Sequence, residues 1–103
     1  MRINFERTGG FLGMRLAVEV MTESLTPAEA NELEMLVDGA HFFDLPPILK
    51  PQTEGVDRFQ YVLTVEKGDQ LHTVETSESA TPEPLQPLID HLTDAARSQR
   101  ITH

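Results

Sequence analysis

The sequence predicts an α+β domain with the element order β-β-α-β-β-α. Three observations predict this fold: two pairs of segments in which apolar and polar residues alternate, a helical apolar spacing after each pair, and turn residues inside each pair. We expect a four-stranded, mainly antiparallel sheet with two helices on one face. A length of 103 residues fits one domain, which we place at residues 1–103.

The first hairpin joins a strand at residues 2–7 to a strand at residues 12–20. Ile3 and Phe5 share one face of the first strand, and the second strand alternates over a longer stretch. Gly9-Gly10 lies between the strands and adopts positive φ at little steric cost, which favours a hairpin there. The inward face of the second strand consists of Leu12, Met14, Leu16, Val18 and Val20.

The first helix is predicted to begin at Thr26. Its hydroxyl accepts a hydrogen bond from an early backbone N–H, Pro27 suits the first helical position, and Glu29 completes a capping box. Helical spacing then continues to Ala40, and Pro46-Pro47 stops the chain from continuing as helix. The apolar face consists of Ala30, Leu33, Leu36, Val37 and Ala40.

The second half of the chain repeats the pattern. It has strands at 58–66 and 71–76, joined by a turn at 67–70 that contains a glycine. The last helix begins within 81–87, because prolines belong in a first turn rather than in a helix interior. Its apolar face consists of Leu85, Leu88, Ile89, Leu92 and Ala96.

The order of the strands in the sheet stays open at this point. Order 2-1-3-4 makes all neighbours antiparallel, whereas order 1-2-3-4 pairs strands 2 and 3 in parallel. We expect the first helix to run back along the sheet to the end that carries the glycine-rich turn. The direction of the chain then brings three irregular segments to that end: 8–13, 44–56 and 77–81. Loops that gather on a rigid scaffold are a common location for binding.

Composition excludes several classes of function. The formal net charge is -9 without a stripe of Lys or Arg, so no nucleic acid is expected as a partner. The apolar runs are too short to span a membrane, and no secretory signal is visible, which makes the cytoplasm the expected location. The chain contains no cysteine, which excludes disulfides and thiolate metal sites.

The sequence shows no set of residues that would make it an enzyme. The histidines His41, His72, His91 and His103 lack the spacing of helical metal ligands, and no nucleophile motif surrounds any serine. We therefore expect no catalytic residue, no bound metal and no cofactor. The glycine-rich stretch is no phosphate loop either, because no helix begins after it.

Two classes of function remain. The stretch Arg7-Thr8-Gly9-Gly10-Phe11-Leu12-Gly13 offers an exposed hairpin tip with one hydroxyl and one aromatic ring, which suits entry into the cleft of another protein. An enzyme inhibitor would use this tip. A non-enzymatic interaction or assembly module would use the open sheet face instead, but that face is too polar for a large obligate interface.

An ordered set of motifs resembles the emfourin family, small bacterial protein inhibitors of protealysin-like, thermolysin-type zinc metalloproteases. In order, these are Gly9-Gly10-Phe11-x-Gly13, Phe42-Phe43-x-Leu45-Pro46, Asp57-x-x-x-Tyr61, Gly68, His72-Thr73-Val74 and Pro82-x-x-Leu85 with Leu88 and Leu92. The resemblance implies an inhibitor-like domain that binds such a protease. The zinc in the complex would be the protease's own.

The protease-binding residues are predicted at Thr8, Gly9, Gly10, Phe11, Leu12, Ser77 and Ser79. A hydroxyl oxygen at the tip suits the open coordination position of a catalytic zinc, and Phe11 suits the apolar specificity pocket of such proteases. The family tends to a small residue where this chain has Leu12. That difference bears on the shape of the tip and on the choice of target, not on the fold.

Overall fold

The computed structural model describes residues 1–9, 15–50 and 58–101, with side chains as far as residue 98. The sheet contains β1 (Arg2–Gly9), β2 (Leu16–Met21), β3 (Phe59–Lys67) and β4 (Gln70–Ser77). The helices are α1 (Pro27–Gly39) and α2 (Gln86–Ile101), and short 3₁₀ turns lie at Thr22–Ser24, Phe42–Asp44 and Glu83–Leu85. None of the helices in this part of the chain is both long and apolar enough to cross a membrane.

The four strands form one sheet in the order β2-β1-β3-β4. Every neighbouring pair is antiparallel. The α+β fold predicted from the sequence is therefore confirmed, and of the two possible orders the structure has the fully antiparallel one. The chain leaves β2 and re-enters the sheet beyond β1, so no parallel pairing is needed.

The core lies on one face of the sheet. Ile3 and Phe5 of β1 are buried together with their β3 partners and with Val18 of β2, and both helices add residues to the same cluster. From the sheet, the cluster contains Ile3, Phe5, Leu16, Val18, Tyr61, Leu63, Val65 and Val74. From the helices and the turns beside them, it contains Leu33, Val37, Ala40, Phe42, Leu85, Leu88, Ile89, Leu92 and Ala96.

The predicted helix starts agree with the structure. Thr26 is the N-cap of α1, and its hydroxyl oxygen accepts from the backbone N–H of Glu29 at 3.2 Å. The same hydroxyl donates to the Glu29 carboxylate at 2.8 Å. α2 begins at Gln86 after a 3₁₀ turn, inside the predicted window, with Pro87 in its first turn.

The path of α1 differs from the prediction. We call the end of the sheet with Met21 and Lys67 the lower end and the end with Gly9 and Phe59 the upper end. The start of α1 lies beside the end of β2, because Glu29 and Met21 line one surface cavity. In its last turn, the Asp38 carboxylate lies 3.7 Å from the Lys67 ammonium at the end of β3. α1 therefore crosses the strands near the lower end instead of running towards the upper end.

The helix has the length for this crossing. Its 13 residues at about 1.5 Å each give roughly 20 Å, which spans four strands spaced about 4.8 Å apart. The two ion pairs at its C-terminal half, Lys67 with Glu34 and Lys67 with Asp38, connect it to the end of β3. Chain direction alone did not reveal this, because it does not specify the angle between a helix and the sheet.

Residues 45–50, which we call the edge segment, run from the lower end towards the upper end instead. Pro47 accepts from the Glu75 N–H at 2.8 Å, and Leu49 donates to the Glu75 carbonyl at 2.8 Å, so the segment runs parallel to β4. The described part of the predicted 44–56 loop is thus an extended cover on the sheet edge, and residues 51–56 lie outside the described residues. Two successive prolines favour this extended backbone.

His72 attaches the edge segment to the sheet. Its Nε2–H donates to the Leu45 carbonyl at 2.7 Å, and its ring packs edge-on against Phe42 with centroids 5.6 Å apart. His72→Ala should lower the free energy of unfolding by about 1–3 kcal/mol, because it leaves that carbonyl without its donor and removes the ring contact. Urea unfolding followed by circular dichroism measures the difference.

His91→Ala is the matched control. The His91 Nδ1 lies 3.9 Å from a Glu32 carboxylate oxygen on the surface, so its removal should change the free energy of unfolding by no more than about 0.5 kcal/mol. Equal effects of the two substitutions would show that the His72 ring does not hold the edge segment.

Candidate functional site

The upper end of the sheet brings together the ends of β1, β3 and β4. Gly9 is the register partner of Phe59, and the Glu78 N–H donates to the Phe59 carbonyl at 3.1 Å. The predicted gathering of the 8–13 and 77–81 segments at one end is confirmed for their described residues. The described part of the 44–56 segment runs along β4 towards this end as far as Glu75, and residues 51–56 lie outside the described residues.

Gly9 is the residue at which β1 leaves the sheet. Its φ is +106°, a backbone conformation that side-chain-bearing residues rarely adopt. A Cβ at this position would collide with the carbonyl oxygen of Arg58. The absence of a side chain at Gly9 is therefore what lets β1 approach β3 closely at the base of the hairpin.

Two arginines surround Phe59 at this end. The guanidinium carbon of Arg7 lies 4.3 Å from the ring centroid, and that of Arg58 lies 5.5 Å from it. Both distances fall within the range of cation–π attraction, which is about 6 Å. The Arg7 contact joins β1 to the first residue of β3, so it holds these two strands together at the base of the hairpin.

Glu78 ties the turn after β4 to the same cluster. Its carboxylate accepts from the Arg58 backbone N–H at 3.2 Å and lies 3.7 Å from the Arg58 guanidinium. Neither Glu78 nor Arg58 stands out in the sequence as a candidate binding residue. The pairing depends on the register of β3 with β4, which no local sequence pattern specifies.

Tyr61 lies beneath this cluster with 8 % of its surface exposed. Burial is the main cause that raises the pKa of its phenol, and the negative charge of Glu78 raises it further. The positive charge of Arg7 acts in the opposite direction. The titration of Tyr61 therefore reports on the charges at the upper end.

Thr8 and Ser77 lie in one row across the sheet. Both are register partners of Gln60, so they sit on the same face at opposite sides of β3, about 10 Å apart for a strand spacing of about 4.8 Å. Thr8 is half-buried, whereas Ser77 is buried and its Oγ has no hydrogen-bond partner among the described residues. The Ser77 carbonyl accepts from the Thr81 hydroxyl at 2.8 Å.

The remaining predicted residues fall into two groups. Ser79 is exposed in the turn that follows β4, close to Glu78. Gly10, Phe11 and Leu12 lie outside the described residues. The structure thus places Thr8, Gly9, Ser77 and Ser79 at one end of the molecule.

The histidines in the described part do not form a common site. His72 lies on β4, His91 on α2, and His41 precedes a 3₁₀ turn with φ of 50°. Within residues 1–9, 15–50 and 58–101, no three His, Asp or Glu side chains cluster closely enough to hold a metal ion. His103 is outside these ranges.

An irregular segment held at the end of a rigid sheet is typical of a protein-binding surface. The Emfourin family matches residues 5–93, and the chain belongs to this family. Comparison with curated proteins and with solved structures gave no match. Membership of this inhibitor family suggests a protease-inhibitor role with a protease as the partner, rather than an enzymatic activity.

Gly9→Ala should lower the free energy of unfolding by about 1–3 kcal/mol, because the new Cβ strains the backbone and displaces Arg58. Gly39→Ala is the control, since a Cβ there meets no atom within 4 Å. That change at the end of α1 should leave stability unchanged or raise it by up to about 1 kcal/mol. Equal urea midpoints for the two variants would contradict the close approach at Gly9.

Tyr61 is the only tyrosine, and the chain has no tryptophan, so its phenol can be titrated by absorbance without interference. The midpoint should lie above about 10, the ordinary pKa of tyrosine. Because the folded state favours the neutral phenol, this contribution to stability is complete below that pH and is lost as pH rises through the folded pKa. Glu78→Gln should lower the midpoint, and Arg7→Gln should raise it. Shifts in the opposite directions would refute this charge arrangement.

Proposed function

We propose that the chain inhibits thermolysin-like zinc metalloproteases of the protealysin type, with the 8–13 hairpin and the neighbouring turn after β4 blocking the active-site cleft. The observation that carries this proposal is the family match over residues 5–93. The resemblance of the sequence motifs supplies the class of protease, and the architecture of the upper end supports the choice of surface.

The base of the hairpin is pre-organised for binding. Because Gly9 has no side chain, its backbone packs directly against the Arg58 backbone. The Arg7 and Arg58 guanidinium groups pack against the Phe59 ring beside it. A binding segment whose base is already ordered loses less conformational entropy on association. This favours the hairpin end over the lower end as the inhibitory surface.

Thr8 supplies the hydroxyl for the proposed contact with the protease. A catalytic zinc has three protein ligands and keeps one position for water or for a substrate oxygen. The Thr8 oxygen would take this position and displace the water that the metal activates. Phe11 would enter the apolar pocket that normally receives a substrate side chain.

The turn after β4 would form the second wall of the contact. Ser79 is exposed there and would touch the rim of the cleft directly. The Ser77 hydroxyl is buried, so Ser77 would contribute through its backbone, whose carbonyl holds Thr81 in place. Substitution of Ser79 should therefore affect protease affinity more than stability. Substitution of Ser77 should affect stability more than protease affinity.

Inhibition constants of single variants against a thermolysin-like protease test the proposal. Thr8→Ala should raise the inhibition constant by about tenfold, equivalent to about 1.4 kcal/mol, through loss of the oxygen at the zinc. Gly10→Val should also raise it, because the sequence predicts positive φ in the Gly9-Gly10 turn and a β-branched residue tolerates positive φ poorly. Asp69→Ala at the lower end is the matched surface control and should leave it unchanged.

Thermal melts separate a loss of binding from a loss of folding. A small hydroxamate that occupies the zinc should compete with the inhibitor, since both need the same coordination position. Strong inhibition that survives Thr8→Ala and Gly10→Val but is lost with Asp69→Ala would place the working surface at the lower end. No inhibition of any such protease by the wild-type chain would refute the proposal in favour of a non-enzymatic interaction module.

A further inference from the structure

The two edges of the sheet are covered differently. The outer edge of β4 pairs with the edge segment through the hydrogen bonds of Glu75. Among residues 1–9, 15–50 and 58–101, no segment pairs with the outer edge of β2. An uncovered edge presents a row of backbone donors and acceptors to any strand that approaches it.

The register shows which β2 groups point outward. The Thr22 N–H donates to the Met1 carbonyl at 2.9 Å, which marks a hydrogen-bonded pair between β1 and β2. Such pairs alternate along an antiparallel ladder, so Val20, Val18 and Leu16 bond to β1. The N–H and C=O groups of Ala17, Glu19 and Met21 therefore face outward from the sheet.

We propose that this edge pairs with the β2 edge of a second copy of the chain, in antiparallel register centred on Ala17. Ala17 then faces Ala17 of the second copy, and their outward N–H and C=O groups bond reciprocally. Two residues away on each side, Arg15 faces Glu19 of the second copy. The pairing is self-complementary, as a two-fold interface requires.

Charge selects this register over the others. The alternation of outward groups allows a two-fold pairing centred on any residue of β2, from Leu16 to Met21. A pairing centred on Glu19 places two carboxylates directly opposite each other, which is destabilising. A pairing centred on Val18 places Glu19 opposite Ala17 and gains no charge contact. Only the register centred on Ala17 places Arg15 of each copy opposite Glu19 of the other.

The side chains involved are available for this contact. Arg15 is 67 % exposed, and its guanidinium lies 2.8 Å from the Glu6 carboxylate on the adjacent strand. Within the described part of the chain no cation pairs with Glu19, which is exposed. In the paired form Arg15 would lie between Glu6 of its own chain and Glu19 of the second copy, and the small Ala17 side chains leave room for close approach.

The interface is small, so the dimer should form reversibly with concentration. β2 has six residues, and each chain carries a net charge of -9 that opposes close approach. Sedimentation velocity over a wide concentration range, at physiological ionic strength, should show the mass rise from one chain of 11.5 kDa towards two. A wild-type chain that stays at the single-chain mass throughout would overturn the proposal.

Charge reversals test the register itself. Arg15→Glu places two carboxylates opposite each other at both contacts, and Glu19→Arg places two guanidinium groups there, so each should weaken dimerisation by at least about tenfold. Mixing the two variants restores opposite charges at both contacts, and an equimolar mixture should form a one-to-one heterodimer. Asp69→Arg, a charge reversal at the β3–β4 turn, should dimerise like the wild type.

Wild-type dimerisation that neither reversal weakens would place the interface elsewhere and overturn the proposal. Failure of the mixture to associate, when both variants fold by circular dichroism, would overturn the register. Hydrogen exchange on the unmodified chain gives an independent measurement. The Ala17 and Glu19 amides should become protected as the concentration rises, and exchange at these amides that does not depend on concentration would also refute the pairing.

Discussion

The pairing of β1 with both β2 and β3 is the constraint on which the rest of the structure depends. It places Ile3 between Val20 and Val65, and Phe5 between Val18 and Leu63, which forms the centre of the core. The same register brings Gly9 to Phe59 and defines the upper end. It also moves β2 to the outside of the sheet and leaves its outer edge without a partner in the described chain.

Local patterns predicted the elements but not their arrangement. Alternation indicated all four strands, and Thr26 with Glu29 indicated the start of α1, because these signals depend on neighbouring residues only. Strand order, the crossing of α1 and the edge segment depend on contacts between distant residues. His72 with Leu45 and Lys67 with Asp38 are separated widely in sequence, and neither pair leaves a periodic signal.

The candidate site was predictable to a similar degree. Glycines at 9 and 10 indicated a hairpin, and φ of +106° at Gly9 gives the physical reason for the first of them. The burial of Ser77 was not predictable, because a serine at the end of a strand is equally compatible with an exposed turn. The Arg7, Phe59 and Arg58 contact also needed the β1–β3 register, since Arg7 lies on β1 whereas Phe59 begins β3 and Arg58 directly precedes it.

The net charge of -9 acts differently on the two proposed contacts. An acidic chain is attracted to a basic partner and repelled by a copy of itself. Pairing of two β2 edges therefore has to overcome a general repulsion with local opposite charges at Arg15 and Glu19, and it becomes significant only at high concentration. Antiparallel pairing also points the two upper ends in opposite directions. Arg15 lies only two residues after the 8–13 hairpin, so pairing at the edge and binding at the hairpin end use neighbouring surfaces of the same sheet.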